Sequence, residues 1–168
     1  QQLIKNLKYD DDDSGIAGIQ RKIREISRAY KLEKWLSKDQ ILELYLNTIF
    51  VGSDVYGVKL GSIYYFNKSV SDLDLAECAF LAGINHSPNN YNPFGEKDNS
   101  EKIKTRTKTV LVKMKELGKI TTEEYNNAVI EVDAGLHFEK GNTSSGSSMS
   151  YLAQAAYNQV IKQYAEEN

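Results

Sequence analysis

Apolar residues recur at helical spacing through most of this chain, and strong helix breakers are few. Only two prolines occur, Pro88 and Pro93, and both lie in one short stretch. Because an α-helix brings every third or fourth residue to one face, the pattern predicts a mainly α-helical fold. The predicted helices cover about residues 1–7, 21–36, 38–50, 55–66, 73–84, 100–117 and 122–132.

Two predicted helix starts carry a capping box, in which a Ser or Thr N-cap is followed three residues later by Gln or Glu. Ser37 with Gln40 predicts a start at residue 38, and Thr121 with Glu124 predicts the start of the last helix in this series. Gly118 is expected to end the helix before it, because glycine adopts the left-handed conformation that closes many helices.

Three stretches lack the helical pattern. Asp10–Asp13 and the glycine soon after them predict an exposed loop, with a calcium site as the alternative reading. Residues 85–95 are rich in Asn, Pro and Gly, and residues 141–148 have the Gly/Ser composition of a linker. We therefore predict one domain over residues 1–138, followed by a linker and a renewed helical pattern over 139–168.

Composition narrows the class of protein. The 168 residues include 21 Lys+Arg and 23 Asp+Glu, and the net charge of −2 argues against a nucleic-acid binder. The single cysteine, Cys78, excludes an internal disulfide and is predicted to pack among its apolar neighbours. No apolar run is long enough to span a membrane. The chain opens on a helical pattern with no Met or cap before it, so we expect a fragment of a longer protein.

One face of the predicted helix over residues 21–36 is charged. Arg21, Glu25 and Arg28 fall within about 60° of each other when drawn at 100° per residue. The opposite side carries apolar residues, namely Ile23, Ile26 and Tyr30. The charged face is either a surface ladder of weak ion pairs or a polyanion site. In the second case Arg and Lys bind phosphate oxygens, while the glutamate holds a metal ion or a proton.

The next predicted helix is apolar over most of its circumference and is expected to be largely buried. Glu43 and Asn47 share its remaining polar stripe, as part of a structural network or as a functional pair. His86 and His137 stand apart from any Cys/His cluster, which argues against a histidine metal site. Phosphate-binding loops of the Gly-Lys-Ser/Thr type, Gly-x-Ser-x-Gly elbows and Cys-x-x-Cys pairs are absent from the sequence.

Three segments occur in a characteristic order, at residues 1–6 (QQLIKN), 21–25 (RKIRE) and 38–47 (KDQILELYLN). In this order they resemble the peptidoglycan glycosyltransferase family, and more specifically the glycosyltransferase module of bifunctional class A penicillin-binding proteins. The likeness extends over about residues 1–132. Four residues of the matching motifs are expected to have structural roles, namely Lys38, Glu43, Asn47 and Arg106.

The resemblance implies a lysozyme-like helical domain that polymerises lipid II into β-1,4-linked glycan strands and releases undecaprenyl diphosphate. Glu25 matches the family's glutamate that works at the diphosphate with Mg²⁺ or another divalent ion. The neighbouring cations of the family match Lys5, Arg21 and Lys22. Gln1 and Gln2 match glutamines of the substrate cleft.

The sequence departs from the family at two places. The family's first motif, an acidic pair followed by Phe and His, supplies the base for the acceptor 4-hydroxyl and is not found in these 168 residues. We therefore expect a domain incomplete at its N-terminus, inactive alone, with Leu3, Ile4 and the helix around Ile41 more exposed than in the parent. The family's arginine between the Lys5 position and the Arg21 position also has no match, and four aspartates lie there instead.

The resemblance also implies partners and a location. These are lipid II, the growing glycan strand, the membrane surface, and a transpeptidase domain toward which residues 139–168 lead. The parent is expected at the extracytoplasmic face of the bacterial plasma membrane, anchored by an upstream segment. Two alternatives are a glycan-cleaving lytic transglycosylase or lysozyme-like hydrolase, and a non-catalytic helical interaction domain. The cations around Glu25 favour the transferase, because a hydrolase has no diphosphate to bind.

Overall fold

The fold is mainly α-helical, as predicted, in a computed structural model that describes residues 1–7 and 15–143. The helices are α1 (Gln2–Leu7), α2 (Gly15–Trp35), α3 (Lys38–Thr48), α4 (Val58–Phe66), α5 (Leu75–Ile84), α6 (Ser100–Glu116) and α7 (Thr122–Ala134). The described residues form two compact units, residues 1–49 and residues 50–143. The predicted loop at Asp10–Asp13 and the linker and helical pattern beyond residue 143 lie outside the described residues.

A small hairpin replaces the ends of two predicted helices. Strands β1 (Phe50–Gly52) and β2 (Val55–Tyr56) pair antiparallel, so α3 ends before Phe50 and α4 begins after Tyr56. The reversal is made by Ser53 and Asp54, whose φ angles are +51° and +59°. Strands of three and two residues are too short for an alternating pattern to separate them from helix ends.

The first unit is built on α1, which contacts both α2 and α3. Leu3 is buried at 3% exposure, and Ile4 and Ile41 are half-buried, while their exposure relative to the parent stays a prediction. The expectation that α3 is largely buried is wrong, because Leu42 is 53% exposed and Glu43 lies on the exposed side. Among the described helices, α3 packs chiefly on α1. An apolar circumference does not by itself supply neighbours on every side of a helix.

The second unit packs α4, α6 and α7 around α5. Its core includes five buried residues, namely Ala76, Ala79, Leu111, Ala128 and Val132. The Tyr65 side chain is also fully buried and donates a hydrogen bond of 2.8 Å to the Val51 carbonyl oxygen, which joins α4 to β1. Cys78 is exposed, so its predicted packing is wrong: α5 directs its neighbours Ala76 and Ala79 inward.

The segment after α7 returns to α4. Phe138 stacks on Phe66 with 5.4 Å between ring centroids. The Glu139 and Gly141 amides donate to the Tyr65 and Tyr64 carbonyl oxygens at 3.0 and 3.3 Å. Residues 138–141 are therefore packed and hydrogen-bonded on α4 within the second unit. Within residues 1–7 and 15–143, no helix combines the length and the hydropathy needed to cross a membrane.

Candidate functional site

Helix α2 turns its charged side inward. Glu25 is only 5% exposed and Leu32 is 7% exposed on the same face. The apolar residues of the other face are 55–63% exposed, namely Ile19, Ile23, Ile26 and Tyr30. Glu25 is therefore not an exposed member of a surface ladder, and a carboxylate that is taken out of water needs partners that compensate its lost hydration.

Both carboxylate oxygens of Glu25 have a cationic partner from the same helix. The Arg21 Nη1 donates to Oε1 at 3.1 Å, and the Lys22 Nζ donates to Oε2 at 3.0 Å. These residues stand four and three positions before Glu25, which is the spacing that lets side chains meet on one helix face. Lys22 keeps 54% of its side chain exposed, so its ammonium group can also contact a ligand.

The charges around Glu25 keep it ionised. The hydrogen bond from Lys22 holds the pKa of the Glu25 carboxyl below its usual range, against the opposing effect of burial. The charges of Lys22, Arg21 and Lys5 lower this pKa further. Lys5 belongs to α1, so the contact between α1 and α2 brings a third cation to the carboxylate. One carboxylate among three cations leaves a net positive site, which suits an anionic ligand.

A divalent ion fits this site only together with a ligand. Within the described ranges, no group of three or more His, Cys, Asp and Glu side chains could hold a metal ion. Glu25 offers one carboxylate, and Mg²⁺ in proteins is commonly held by one or two carboxylates plus water and substrate phosphates. The donor set therefore suits an ion shared between Glu25 and phosphate oxygens.

The other predicted site residues of the first unit lie outside this cluster. Gln1 and Gln2 are exposed at the start of α1, and no hydrogen bond links either side chain to Glu25 in the part of the chain that the structure describes. Lys38 is the exposed first residue of α3. Farther along that helix Glu43 is exposed and Asn47 is half-buried.

Arg106 lies in the second unit and joins two helices. Its Nε donates to the Gly83 carbonyl oxygen at 3.1 Å, which ties α6 to the end of α5. A Cβ at position 83 would lie 3.2 Å from the Arg106 Cγ, so the missing side chain of Gly83 makes room for the arginine. Arg106 therefore makes contacts that hold two helices of the second unit together.

A second buried carboxylate was not singled out from the sequence. Glu77 is 1% exposed, accepts from the Lys68 Nζ at 2.6 Å and accepts from the Asp74 amide at 3.1 Å. Asp74 in turn accepts from the Glu77 amide at 2.8 Å, which completes a capping box at the start of α5. The sequence does carry a signal for this capping box, because Asp74 stands three residues before Glu77 at the head of an apolar run.

Comparison with known proteins identifies a family whose members this chain resembles. A family model described as Transglycosylase matches residues 1–115. Penicillin-binding protein 1A of Clostridium perfringens is 44% identical over 163 residues, which cover 95% of this chain and 23% of the relative. Penicillin-binding protein 1A of Neisseria flavescens is 39% identical over 167 residues, which cover 99% of this chain and 20% of the relative. The crystal structure of penicillin-binding protein 1A from Haemophilus influenzae matches with a TM-score of 0.55 and 32% identity, over 79% of this chain and 19% of that one.

The chain belongs to the transglycosylase family. Within it, the relatives confirm the resemblance to the glycosyltransferase module of class A penicillin-binding proteins, and the expected lysozyme-like helical fold is confirmed with it. The chain spans about a fifth of the length of these relatives.

Proposed function

We propose that this chain is part of a peptidoglycan glycosyltransferase that polymerises lipid II into β-1,4-linked glycan strands and releases undecaprenyl diphosphate. The observation that carries the proposal is Glu25, which is buried, ionised and surrounded by Arg21, Lys22 and Lys5 in a member of the transglycosylase family. A site of this charge suits a leaving group that gains negative charge as it departs.

The residues present account for the diphosphate side of the reaction. As the acceptor 4-hydroxyl forms its bond to C1 of the donor sugar, the bond from C1 to the diphosphate oxygen breaks and its electron pair stays on the diphosphate. Lys5, Arg21 and Lys22 offset that growing charge. Lys22 donates one N–H to Glu25 and keeps most of its side chain exposed, so further N–H donors of its ammonium group remain for phosphate oxygens.

The bond from Glu25 to Arg21 also orients the guanidinium before substrate arrives, which reduces the entropy lost on binding. When a divalent ion such as Mg²⁺ is bound, it supplies additional positive charge at the diphosphate. Glu25 is the residue that would hold this ion, jointly with the phosphate oxygens of the substrate.

The partners follow from the chemistry of the substrate. Lipid II and the released carrier are lipids, so the protein that contains this chain works at a membrane surface, on the extracytoplasmic face in our proposal. A transpeptidase domain in the same protein would crosslink the strands. The names of the relatives, penicillin-binding protein 1A, support this arrangement.

The hydrolase alternative is less well supported. Cleavage of a bond between two sugars releases no diphosphate, so such an enzyme gains nothing from three cations around one carboxylate. A non-catalytic interaction domain would likewise have no use for them. Binding of an isoprenoid diphosphate therefore separates the proposed transferase from both alternatives.

The test is Glu25→Gln in a protein of the relatives' length that contains this chain. We expect lipid II polymerisation to fall by about 100-fold, which corresponds to about 2.7 kcal/mol of transition-state stabilisation. Glu33→Gln is the matched control, because Glu33 is an exposed glutamate on the same helix. Polymerisation at the normal rate by Glu25→Gln, with Glu33→Gln as the reference, would refute the assigned role.

A further inference from the structure

We propose that Arg28 is an additional phosphate-binding residue of this site and extends its cation cluster by one helical turn. This inference rests on the proposed function and names a residue that the family motifs quoted above do not include. Three observations support it, namely the position of Arg28 on α2, its burial, and the partners already bound to Glu25.

The position of Arg28 in the sequence places it next to Glu25 on helix α2. It follows Glu25 by three residues and Arg21 by seven, so the two arginines bracket the carboxylate along α2. At 100° per residue, Arg21 and Arg28 lie about 40° and 60° from Glu25, both to the same side, and about 10.5 Å apart along the axis. Helical side chains lean toward the N-terminus, which directs Arg28 back toward the turn that carries Glu25.

The burial of Arg28 and the ion pairs already made by Glu25 indicate that the Arg28 guanidinium group can bind an anion. The residue is half-buried, on the same inward side as Glu25 and Leu32. Both Glu25 oxygens are engaged by Arg21 and Lys22, and among the described residues the Arg28 side chain has no hydrogen bond or ion pair. A partly desolvated cation without a counter-charge is costly, and a phosphate group would supply that charge.

The chemistry favours a diphosphate over a single phosphate. Two guanidinium groups spaced along one helix side can each bind a phosphoryl group through two parallel N–H donors. The sequence between Lys5 and Arg21 contains no arginine, so Arg28 offers a second guanidinium where the preceding residues offer none. Arg24 on the same helix is exposed and about 100° from Glu25, farther around the helix from the carboxylate than Arg21 or Arg28.

The test is calorimetric titration of the 168-residue chain with farnesyl diphosphate in the presence of Mg²⁺, and separately with farnesyl monophosphate. We expect Arg28→Gln to weaken diphosphate binding by about ten-fold or more, since hydrogen bonds to charged groups are among the strong ones. Monophosphate binding should weaken less, so the ratio of the two affinities should fall. Arg28→Lys keeps the positive charge but lacks the parallel N–H donors of the guanidinium group, so it should give an intermediate loss of diphosphate affinity. Arg24→Gln is the matched control and should bind like the wild type.

The outcomes of this titration distinguish a failure of the Arg28 proposal from a failure of the proposed function. If the wild type binds farnesyl diphosphate and Arg28→Gln binds it equally well, the role of Arg28 is refuted while the proposed function stands. If the wild-type chain shows no diphosphate binding, the proposed function fails and the inference fails with it. Circular dichroism establishes that each variant is folded. Should Arg28→Gln unfold, Arg28→Lys decides, and unchanged binding and selectivity in that variant refute the proposal.

Discussion

At the scale of single residues, Glu25 shows how local charge can outweigh burial. Taking a carboxylate out of water ordinarily raises its pKa, because the charged form loses hydration. In Glu25 the opposite occurs, since the Lys22 hydrogen bond and the charges of Lys22, Arg21 and Lys5 favour the ionised form. The same interactions that make the site positive therefore also contribute to folding stability.

This shift predicts a pH dependence of stability. A carboxyl whose pKa is lowered on folding stabilises the protein fully above its unfolded pKa, near 4.5, and loses that contribution as pH falls through the folded pKa. The melting temperature of the wild-type chain should therefore drop more steeply below pH 4.5 than that of Glu25→Gln. Thermal unfolding followed by circular dichroism at a series of pH values measures both slopes. Parallel curves for the two proteins would contradict the assigned ion pairs.

Thr107 offers a second residue-scale prediction. Its side chain is buried at 1% exposure, and its hydroxyl oxygen has no hydrogen-bond partner in the described part of the chain. Thr107→Val removes the unsatisfied hydroxyl and keeps the branched shape, so we expect the free energy of unfolding to rise by about 1 kcal/mol. Urea denaturation measures the change. Thr109→Val is the control, because the Thr109 hydroxyl is exposed and donates to the Thr105 carbonyl at 2.8 Å; a loss of stability in Thr107→Val would indicate a partner for its hydroxyl.

At the scale of elements, the capping residues were the most informative part of the sequence. Ser37 with Gln40 and Thr121 with Glu124 form the predicted capping boxes, and α3 and α7 begin at the next residues. Gly118 has a φ of +64° just beyond α6, as its predicted role requires. These signals are local, so the residues that carry them lie beside the structure they specify.

The orientation of α2 was not predictable in this way. Amphipathic spacing identifies two faces, but it assigns the apolar face to the core by default. In α2 the inward face is set by the contact with α1 and by ion pairs that make Glu25 tolerable in a buried position. The motif resemblance singled out Lys5, Arg21, Lys22 and Glu25, whereas spacing alone left two interpretations of this helix open.

Helices α5 and α7 share a cluster of acidic residues that predicts a second pH effect. Burial raises the pKa of Glu131, and so do a hydrogen bond with Asp74 and the charge of Glu77, while Lys68 opposes the shift. A carboxyl with a raised pKa costs stability as pH rises from its unfolded value through its folded one. Glu131→Gln should therefore melt at a higher temperature than the wild type at pH 7, with the difference vanishing below pH 4.5.

Melting curves of both proteins across this range measure the effect, and Glu96→Gln provides an exposed control. If Glu131→Gln melted below the wild type at pH 7, the ionised Glu131 would be a stabilising partner, contrary to this expectation.

At the scale of the whole molecule, the two compact units differ in how they are packed. The second contains a continuous core around α5, with Leu111 and Val132 fully buried. The described part of the first, residues 1–7 and 15–49, has three helices, and two large apolar side chains on α3 are exposed, Leu42 and Leu46. Residues 50–143 therefore contain the features of an independently folding domain.

We expect a polypeptide of residues 50–143 to unfold in one cooperative transition. A shorter version ending at residue 134 lacks Phe138, whose ring also meets Phe80 at 4.9 Å, and lacks the two backbone hydrogen bonds to α4. It should melt at a lower temperature and lose near-ultraviolet circular dichroism from the aromatic cluster. Non-cooperative unfolding of residues 50–143, or equal melting of the two lengths, would contradict this division of the chain.

Gly141 gives the segment after α7 a fixed length. A Cβ at this position would overlap the Ile63 carbonyl oxygen, so the backbone can lie this close to α4 only where a glycine stands. The next glycine toward the N-terminus, Gly135, has a φ of +101° and ends α7. The five residues between Gly135 and Gly141 therefore form a spacer of fixed length. Inserting or deleting one residue there would move a residue with a side chain into the position of Gly141. Natural or engineered changes of length in this part of the chain are therefore tolerated only beyond residue 141, however polar and loop-like the spacer looks.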